Sequence, residues 1–296
     1  MSISLAISHY ARITTESRGL MKRQKALFVL KLILKKSWLV WILLSGFSSL
    51  RSLRIVGWKF DGTDWMLRDR HQSVFTDRYE AKCTWLLEGH KDIFEHKYRP
   101  KASDRILDVG GGLGLDLPRW SKLVGQHGHI WVIEPDDDAY RRCSKLIENL
   151  PIQNVTIIKK ALGASPGVAT LAKVSGNSHK NFIIDSKNTK GNTYETQLVN
   201  LVTLDEIFNE CNMGHIDFCK INVEGFEVNV LKGAALSLGS LYNLVISCHD
   251  FLGEEFATFD EVSLLLKSFG FSIETNQFAL SELESFYLYA ERNKIK

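Results

Sequence analysis

Two groups of residues in this sequence have the types and spacing to do chemistry. The first is a glycine run, Asp108-Val109-Gly110-Gly111-Gly112-Leu113-Gly114, with Glu134 about twenty residues beyond it. Residues without a Cβ let the backbone turn sharply and approach a ligand, and a helix opening just after, at LDLPRWSKLV, offers unpaired N–H groups to an anion. A carboxylate ending the next strand can accept hydrogen bonds from both hydroxyls of a ribose. Asp108, Gly110, Gly111, Gly112, Gly114 and Glu134, with Pro135 beside it and Ala161 near the end of the following apolar stretch, are therefore the candidate cofactor residues.

This spacing serves dinucleotides and S-adenosylmethionine alike. A dinucleotide fingerprint counted from Gly110 needs a third glycine where Leu115 stands, and a tight strand-to-helix turn with no ligand would use the same residues.

The second group closes two later apolar stretches, IDFCKINVEG (216–225) and NLVISCHD (243–250), which end in Asn222, Glu224, His249 and Asp250. Open α/β sheets bind ligands at the C-terminal ends of their strands. An imidazole titrating near neutrality can take a hydroxyl proton, so His249 is expected to act as base or to orient an acceptor, with Asp250 as its substitute. Glu224 reads either as a site carboxylate or as a cap on a helix starting at Phe226. Glu227 and Lys220 read as structural, Lys220 pairing with a carboxylate beneath the site.

The elements that must position these groups follow from the pattern. RILDVG (105–110), HIWVIEP (129–135), NVTIIKKAL (154–162), IDFCKINVEG, NLVISCHD, FSIETN (271–276) and SFYLYAER (285–292) read as strands, most of them separated by amphipathic helical stretches. Alternation of this kind implies a parallel sheet covered on both faces. The last two strands are joined by too few residues for a parallel crossover, so the final strand should run antiparallel. The expected fold is an α/β, Rossmann-like sheet of seven strands with a reversed last strand, carried by residues 103–296, behind a helical cap at 56–102 and an N-terminal extension at 1–55.

With these elements placed, the segment IDFCKINVEGFEVNVLKGA (216–234) resembles the hallmark of the FkbM-type methyltransferases, approximately D-x-x-K-I-D-V-E-G-x-E-x-x-V-L-x-G-A. Asp217, Lys220, Ile221, Val223, Glu224, Gly225, Glu227, Val230, Leu231, Gly233 and Ala234 match it. LDVGGGLG resembles that family's LDVGANxG loop, IEPDDDAY its FEPxP segment, NVTIIKKALG its third strand and LVTLDEI its lead-in to the hallmark. The resemblance implies the class I methyltransferase fold, S-adenosylmethionine as cofactor, and methyl transfer to a hydroxyl of a sugar, glycan, lipid-linked intermediate or natural product. Asn222 departs from it, standing where the family has Asp; an amide keeps an acceptor but is a poor ligand for hard cations, so no metal is expected. Ser247 stands where the family commonly has Glu in a Glu-x-His pattern that His249 completes. Asn222 and the extension leave open a non-catalytic module that binds adenosylmethionine or a partner.

Composition bounds the rest. A net charge of +3 on 296 residues does not mark a nucleic-acid binder, and five widely spaced cysteines without a Cys-x-x-Cys pair indicate neither a disulfide framework nor zinc. A reducing, cytoplasmic setting is expected, with Cys219 and Cys248 as buried small hydrophobes. The N-terminal extension is basic and then apolar. Its longest uncharged run, Ser37 to Leu50, is shorter than the roughly 18–20 residues that cross a bilayer, so contact with a membrane surface through residues 20–55 is expected, the alternatives being a helix packed on the domain or a true span. The polar stretch between Ser175 and Tyr194 reads as a solvated loop, with Lys173, His179 and Lys180 as candidates to meet a polar acceptor.

Overall fold

The computed structural model describes residues 38–53, 55–174, 181–184, 194–275 and 286–292. In chain order, helix α1 (Trp38–Ser52) leads into strands β1 (Gly57–Phe60), β2 (Trp65–Arg68) and β3 (Ser73–Thr76), and two short helices follow, α2 (Thr84–Glu88) and α3 (Lys91–Phe94). The main domain alternates β4 (Arg105–Val109), α4 (Leu117–Val124), β5 (His129–Ile133), α5 (Asp137–Glu148) and β6 (Val155–Ile158). A side group of strands comes next, β7 (Ala161–Leu162), β8 (Gly167–Lys173), β9 (Phe182–Ile183) and β10 (Glu195–Val202). The chain then completes its main sheet through α6 (Leu204–Glu210), β11 (Ile216–Ile221), α7 (Glu227–Lys232), β12 (Leu241–Ser247), α8 (Phe259–Ser268), β13 (Ser272–Thr275) and β14 (Tyr287–Glu291).

The main sheet has the order β13-β14-β12-β11-β4-β5-β6. β4, β5, β6, β11 and β12 are parallel, and β14 pairs antiparallel with both β12 and β13. This is the seven-strand sheet with a reversed last strand expected from the sequence. Helices bury one stripe each against it: α4 through Leu117, Trp120 and Val124, and α5 through Ala139, Cys143 and Leu146. The two faces hold separate apolar clusters, one around Trp120 and Phe218 and the other around Leu107, Ile221 and Leu244. Cys219 and Cys248 are buried in the second, and burial raises both thiols above their ordinary range.

Two expectations about secondary structure are corrected. Residues 56–102 are not simply helical: 57–76 form an antiparallel meander, β1-β2-β3, in which Trp58, Phe60, Trp65, Leu67 and Val74 alternate inward while Asp61-Gly62-Thr63 turns the first hairpin. NVTIIKKAL does not continue as one strand either. It leaves the main sheet after Ile158, and Ala161–Leu162 pairs instead with β10 in a four-stranded side sheet, β7-β10-β8-β9. Lys173 ends β8 within hydrogen-bonding distance of Asp138, 3.1 Å, whereas His179 and Lys180 lie outside the described residues.

The meander is tied to the main domain electrostatically. Asp64 has no solvent exposure and meets Arg141, the Arg142 Nε at 2.8 Å and the Lys145 Nζ at 2.8 Å, all from α5. Burial works against its carboxylate, but these three cations outweigh it and hold its pKa below the ordinary value. Such a paired, hydrogen-bonded charge fixes register between layers more than it adds net stability.

Candidate active site

A cavity of about 290 Å³ opens at the C-terminal edge of β4, β5, β11 and β12. Its floor is the glycine loop. Gly110 takes φ +80°, and a Cβ there would lie 2.0 Å from the Asn222 carbonyl oxygen, while a Cβ on Gly111 would lie 2.2 Å from Val132 Cγ1. Packing therefore requires glycine at both positions, and at Gly110 backbone geometry does so as well. Gly114, at φ +70°, faces Cys143 and Leu117 behind the loop and is not part of the cavity wall.

The loop spends its own donors. Gly110 N and Gly111 N donate to the Ile133 carbonyl at 2.9 and 3.1 Å, Gly112 N donates to Glu134 Oε2 at 2.7 Å, and Gly114 N donates to the Gly111 carbonyl at 2.9 Å. These glycine N–H groups are committed within the loop and stiffen it so that its backbone can be approached. Glu134 Oε1 also accepts from Asp136 N at 2.9 Å. Burial raises the Glu134 carboxyl to about 7, against the pull of those two N–H groups.

Asp108 lies beneath the loop rather than in the cavity wall. Lys220 Nζ is 2.9 Å from Asp108 Oδ1 and donates to the Gly110 carbonyl at 2.6 Å, so one buried ammonium ties β4, β11 and the loop together. Burial opposes the charge on Lys220, but Asp108 outweighs it and raises its pKa, while burial raises Asp108 itself. The structural pairing expected of Lys220 is present.

The other wall is built by the turn after β11. Glu224 adopts φ +54°, an unusual conformation for a residue with a Cβ, and lines the cavity with Asn222 and Val223. Glu227, with no exposure, accepts Gly225 N at 3.1 Å and Val223 N at 3.3 Å, which holds that turn in place. It is this residue, not Glu224, that ties down the backbone ahead of the helix. Glu227 also accepts from the Thr258 hydroxyl at 2.9 Å.

His249 sits between the two acids. Its Nδ1 is 2.9 Å from Glu227 Oε1 and its Nε2 is 3.3 Å from Glu224 Oε1. Burial disfavours the charged ring, but Glu227 and Glu224 outweigh it and raise the imidazole to about 10. At neutral pH it is an imidazolium with both N–H groups committed, and it has no lone pair to offer an acceptor hydroxyl. Asp250 is elsewhere: its carboxylate accepts Thr258 N at 3.0 Å and Phe259 N at 3.1 Å at the start of α8, outside the cavity lining. That placement corrects its reading as a substitute base.

The structure thus brings Gly110, Gly111, Gly112, Glu134, Pro135, Ala161, Asn222, Glu224 and His249 around one cavity and leaves Asp108, Gly114 and Asp250 behind it. It adds residues that sequence reasoning missed. Trp85, His90 and Phe94 come from the short helices before β4, Tyr287 from β14, and Asn181 and Ile183 from the side sheet. The aromatic richness of 56–100 was the available signal for the first three. Among the described residues no cluster of three or more His, Cys, Asp or Glu is placed to hold a metal ion.

The site also has an unmet acceptor. Asn222 Oδ1 is buried without a hydrogen-bond partner, although the residue borders the cavity. Buried acceptors are seldom left unpaired, so this oxygen suits a donor from a bound molecule.

Comparison with known proteins finds a family and several partial likenesses. The FkbM methyltransferase domain model matches residues 108–273. A protein-L-isoaspartate O-methyltransferase of Fervidobacterium nodosum is 40% identical over 58 residues, 20% of this chain and 29% of that protein. A probable cobalt-precorrin-6B C(15)-methyltransferase (decarboxylating) of Sulfurisphaera tokodaii is 34% identical over 55 residues, 19% of this chain and 29% of that protein. The chain thus spans less than a third of the length of these curated relatives. Among solved structures, a SAM-dependent methyltransferase from Aquifex aeolicus is 18% identical with a TM-score of 0.39, covering 72% of this chain and 98% of that one. Fibrillarin of Aeropyrum pernix, solved with bound S-adenosyl-L-methionine, is 11% identical with a TM-score of 0.41, covering 77% of this chain and 93% of that one. The family match takes in more than half of the chain, from the glycine loop through Glu134 and the Glu224 turn to β13, and the chain belongs to the FkbM methyltransferase family, with the class I α/β fold.

Proposed function

We propose that the protein is an S-adenosylmethionine-dependent O-methyltransferase acting on a hydroxyl-bearing acceptor, a sugar or glycan, a lipid-linked intermediate or a natural product. As a member of its family it takes S-adenosylmethionine as cofactor, and the residues present fit that group. The Gly110–Gly111 backbone can be approached because neither position has room for a side chain, Glu134 can accept ribose hydroxyls, and the unpaired Asn222 oxygen can accept a donor. The bound cofactor supplies an electrophilic methyl group on a sulfonium.

What this chain's residues add is position and a proton acceptor. Displacement at such a methyl needs little covalent help, so alignment of the acceptor and removal of one proton can supply most of the acceleration. The observation that carries the reading is the carboxylate of Glu224 at the cavity wall, with His249 held 3.3 Å behind it by buried Glu227. Glu224 takes the acceptor proton, and the imidazolium keeps the carboxylate oriented. His249 then acts as a positioning residue rather than the base. Trp85, Phe94 and Tyr287 give the cavity flat apolar walls suited to the C–H faces of a sugar ring. An acceptor carried at a membrane surface suits a protein whose N-terminal layer both walls the cavity and bears a basic, apolar segment.

The test is turnover with labelled S-adenosylmethionine against a panel of glycans, lipid-linked sugars and polyhydroxylated natural products, with the methylated atom located by mass spectrometry. A product methylated on oxygen supports the reading. Methylation on nitrogen or carbon, or cofactor binding without turnover on every acceptor class, overturns it.

A further inference from the structure

The described part of the N-terminal extension is a helix with two unlike faces. Trp41, Leu44, Ser45, Ser48 and Ser49 of α1 face the meander: Ser45 Oγ accepts Trp58 N at 2.8 Å, Ser48 Oγ accepts the Trp58 indole N–H at 3.0 Å, and Ser48 donates to the Tyr79 hydroxyl at 2.8 Å. Trp41 and Leu44 pack on the same apolar cluster that holds Trp58 and Phe94. This face anchors α1 to the fold. The opposite stripe, Leu39, Ile42, Leu43, Phe47 and Leu50, recurs at helical spacing and is left in solvent, with Leu43 and Leu50 72% and 74% exposed. A contiguous apolar patch of this kind on a folded protein marks an interaction surface.

Charge identifies what covers it. The first 60 residues carry eleven Lys or Arg and one acidic residue, Glu16, whereas residues 61–296 carry 26 basic and 33 acidic residues. A chain of net charge +3 is thus divided into a strongly cationic start and an anionic remainder. Eight of those basic residues precede α1, ending in Lys31, Lys35 and Lys36, and Arg51 closes it with its guanidinium 5.7 Å from the Phe47 ring centroid. Self-association through this helix would set two cationic segments against each other, since a two-fold contact uses the same patch on both copies. An apolar stripe flanked by Lys and Arg, with Trp38 at its start, instead suits the interface of an anionic bilayer.

Length decides the mode. The longest uncharged run here, Ser37 to Leu50, is shorter than the roughly 18–20 residues that cross a bilayer. No helix among the described residues is long and apolar enough to cross a membrane. We infer that α1 is a membrane-surface anchor: its Leu39–Ile42–Leu43–Phe47–Leu50 stripe lies in the interface of an anionic lipid bilayer while its serine face stays bound to the meander. The inference does not depend on which acceptor is methylated.

Flotation of the full-length protein with phosphatidylcholine vesicles, with and without about 30% phosphatidylglycerol, tests it. The protein should float with the anionic vesicles at least about tenfold more than with the neutral ones, and about 0.5 M NaCl should reduce that binding. Leu43→Asp and Leu50→Asp, each at an exposed position, should lower the floating fraction about tenfold or more and leave the melting temperature and S-adenosylhomocysteine binding unchanged. Equal flotation with both vesicle types, or variants that float like the parent, would overturn the inference. So would a dimer in light scattering that Leu43→Asp dissolves, because a second copy would then cover the stripe. Methyl transfer is read separately, so failure of the anchor and failure of the proposed activity are distinguishable.

Discussion

His249 Nδ1 lies 2.9 Å from Glu227 Oε1, and neither side chain has more than 3% exposure. The pair makes a pH signature. The folded-state pKa of His249, about 10, lies above its ordinary 6.5, so its stabilising contribution is full below pH 6.5 and is lost as pH rises through about 10. The melting temperature should therefore fall between pH 7 and 10 more steeply in the parent than in His249→Gln. Identical slopes in thermal scans across that range would show that the ring is not held as an imidazolium.

Glu224→Gln should lower turnover by about 10²-fold or more, the usual contribution of a general base, with S-adenosylhomocysteine affinity nearly unchanged. His249→Ala should also reduce turnover, by loosening Glu224. The pH profiles separate the roles: if His249 were itself the base at its ordinary pKa, the parent's turnover would rise through pH 6.5, whereas an imidazolium behind Glu224 gives a decline as pH approaches 10. Normal turnover by Glu224→Gln would remove Glu224 from the reaction.

Where a sequence pattern is local, it placed these groups correctly. The glycine run and Glu134 are separated by one helix and one strand of regular length, and the short link before SFYLYAER forced the reversed β14 that the sheet contains. What could not be read depends on side chains meeting across distant elements. His249 follows β12 and Glu227 opens α7, and nothing in their separation says that both ring nitrogens meet carboxylates. The strands of the meander were hidden because each is four residues long, too short to show a period beside its turns. Trp85, His90 and Phe94 line the cavity from elements far from most of it in sequence, and one contact that holds them there, Asp116 accepting the His90 backbone N–H at 2.8 Å, spans 26 residues.

Lys220→Met leaves Asp108 buried without its cation and takes a donor from the Gly110 carbonyl. Removing one partner of a buried ion pair costs about 3–5 kcal/mol, so chemical denaturation should show a loss of that order. Asp108→Asn combined with Lys220→Met should be less destabilised than Lys220→Met alone, because no uncompensated charge remains. A double variant that is no better than the single would mean that the loop carbonyl, not the ion pair, dominates the effect.

Cofactor affinity should itself depend on pH, because the carboxyl that can take the ribose hydroxyls is Glu134 and burial raises it to about 7. An acid whose pKa is raised on folding holds a proton that the unfolded chain has released, so ionising it opposes folding as pH rises from 4.5 through about 7. Two ribose hydroxyls donating to the ionised form would offset that cost, and binding should therefore favour the carboxylate. Between pH 6 and 8 the ionised fraction of a group titrating at 7 rises about tenfold, and S-adenosylhomocysteine should bind about tenfold more tightly at the upper end. Glu134→Gln should flatten this dependence, and Glu134→Ala should weaken binding by roughly 1.5–3 kcal/mol at pH 8, since it removes hydrogen bonds to a charged group and also releases Gly112 N from the loop. Calorimetry at both pH values decides the matter: an affinity that is constant in the parent, or that varies equally in Glu134→Gln, would assign the ribose to another residue of the cavity.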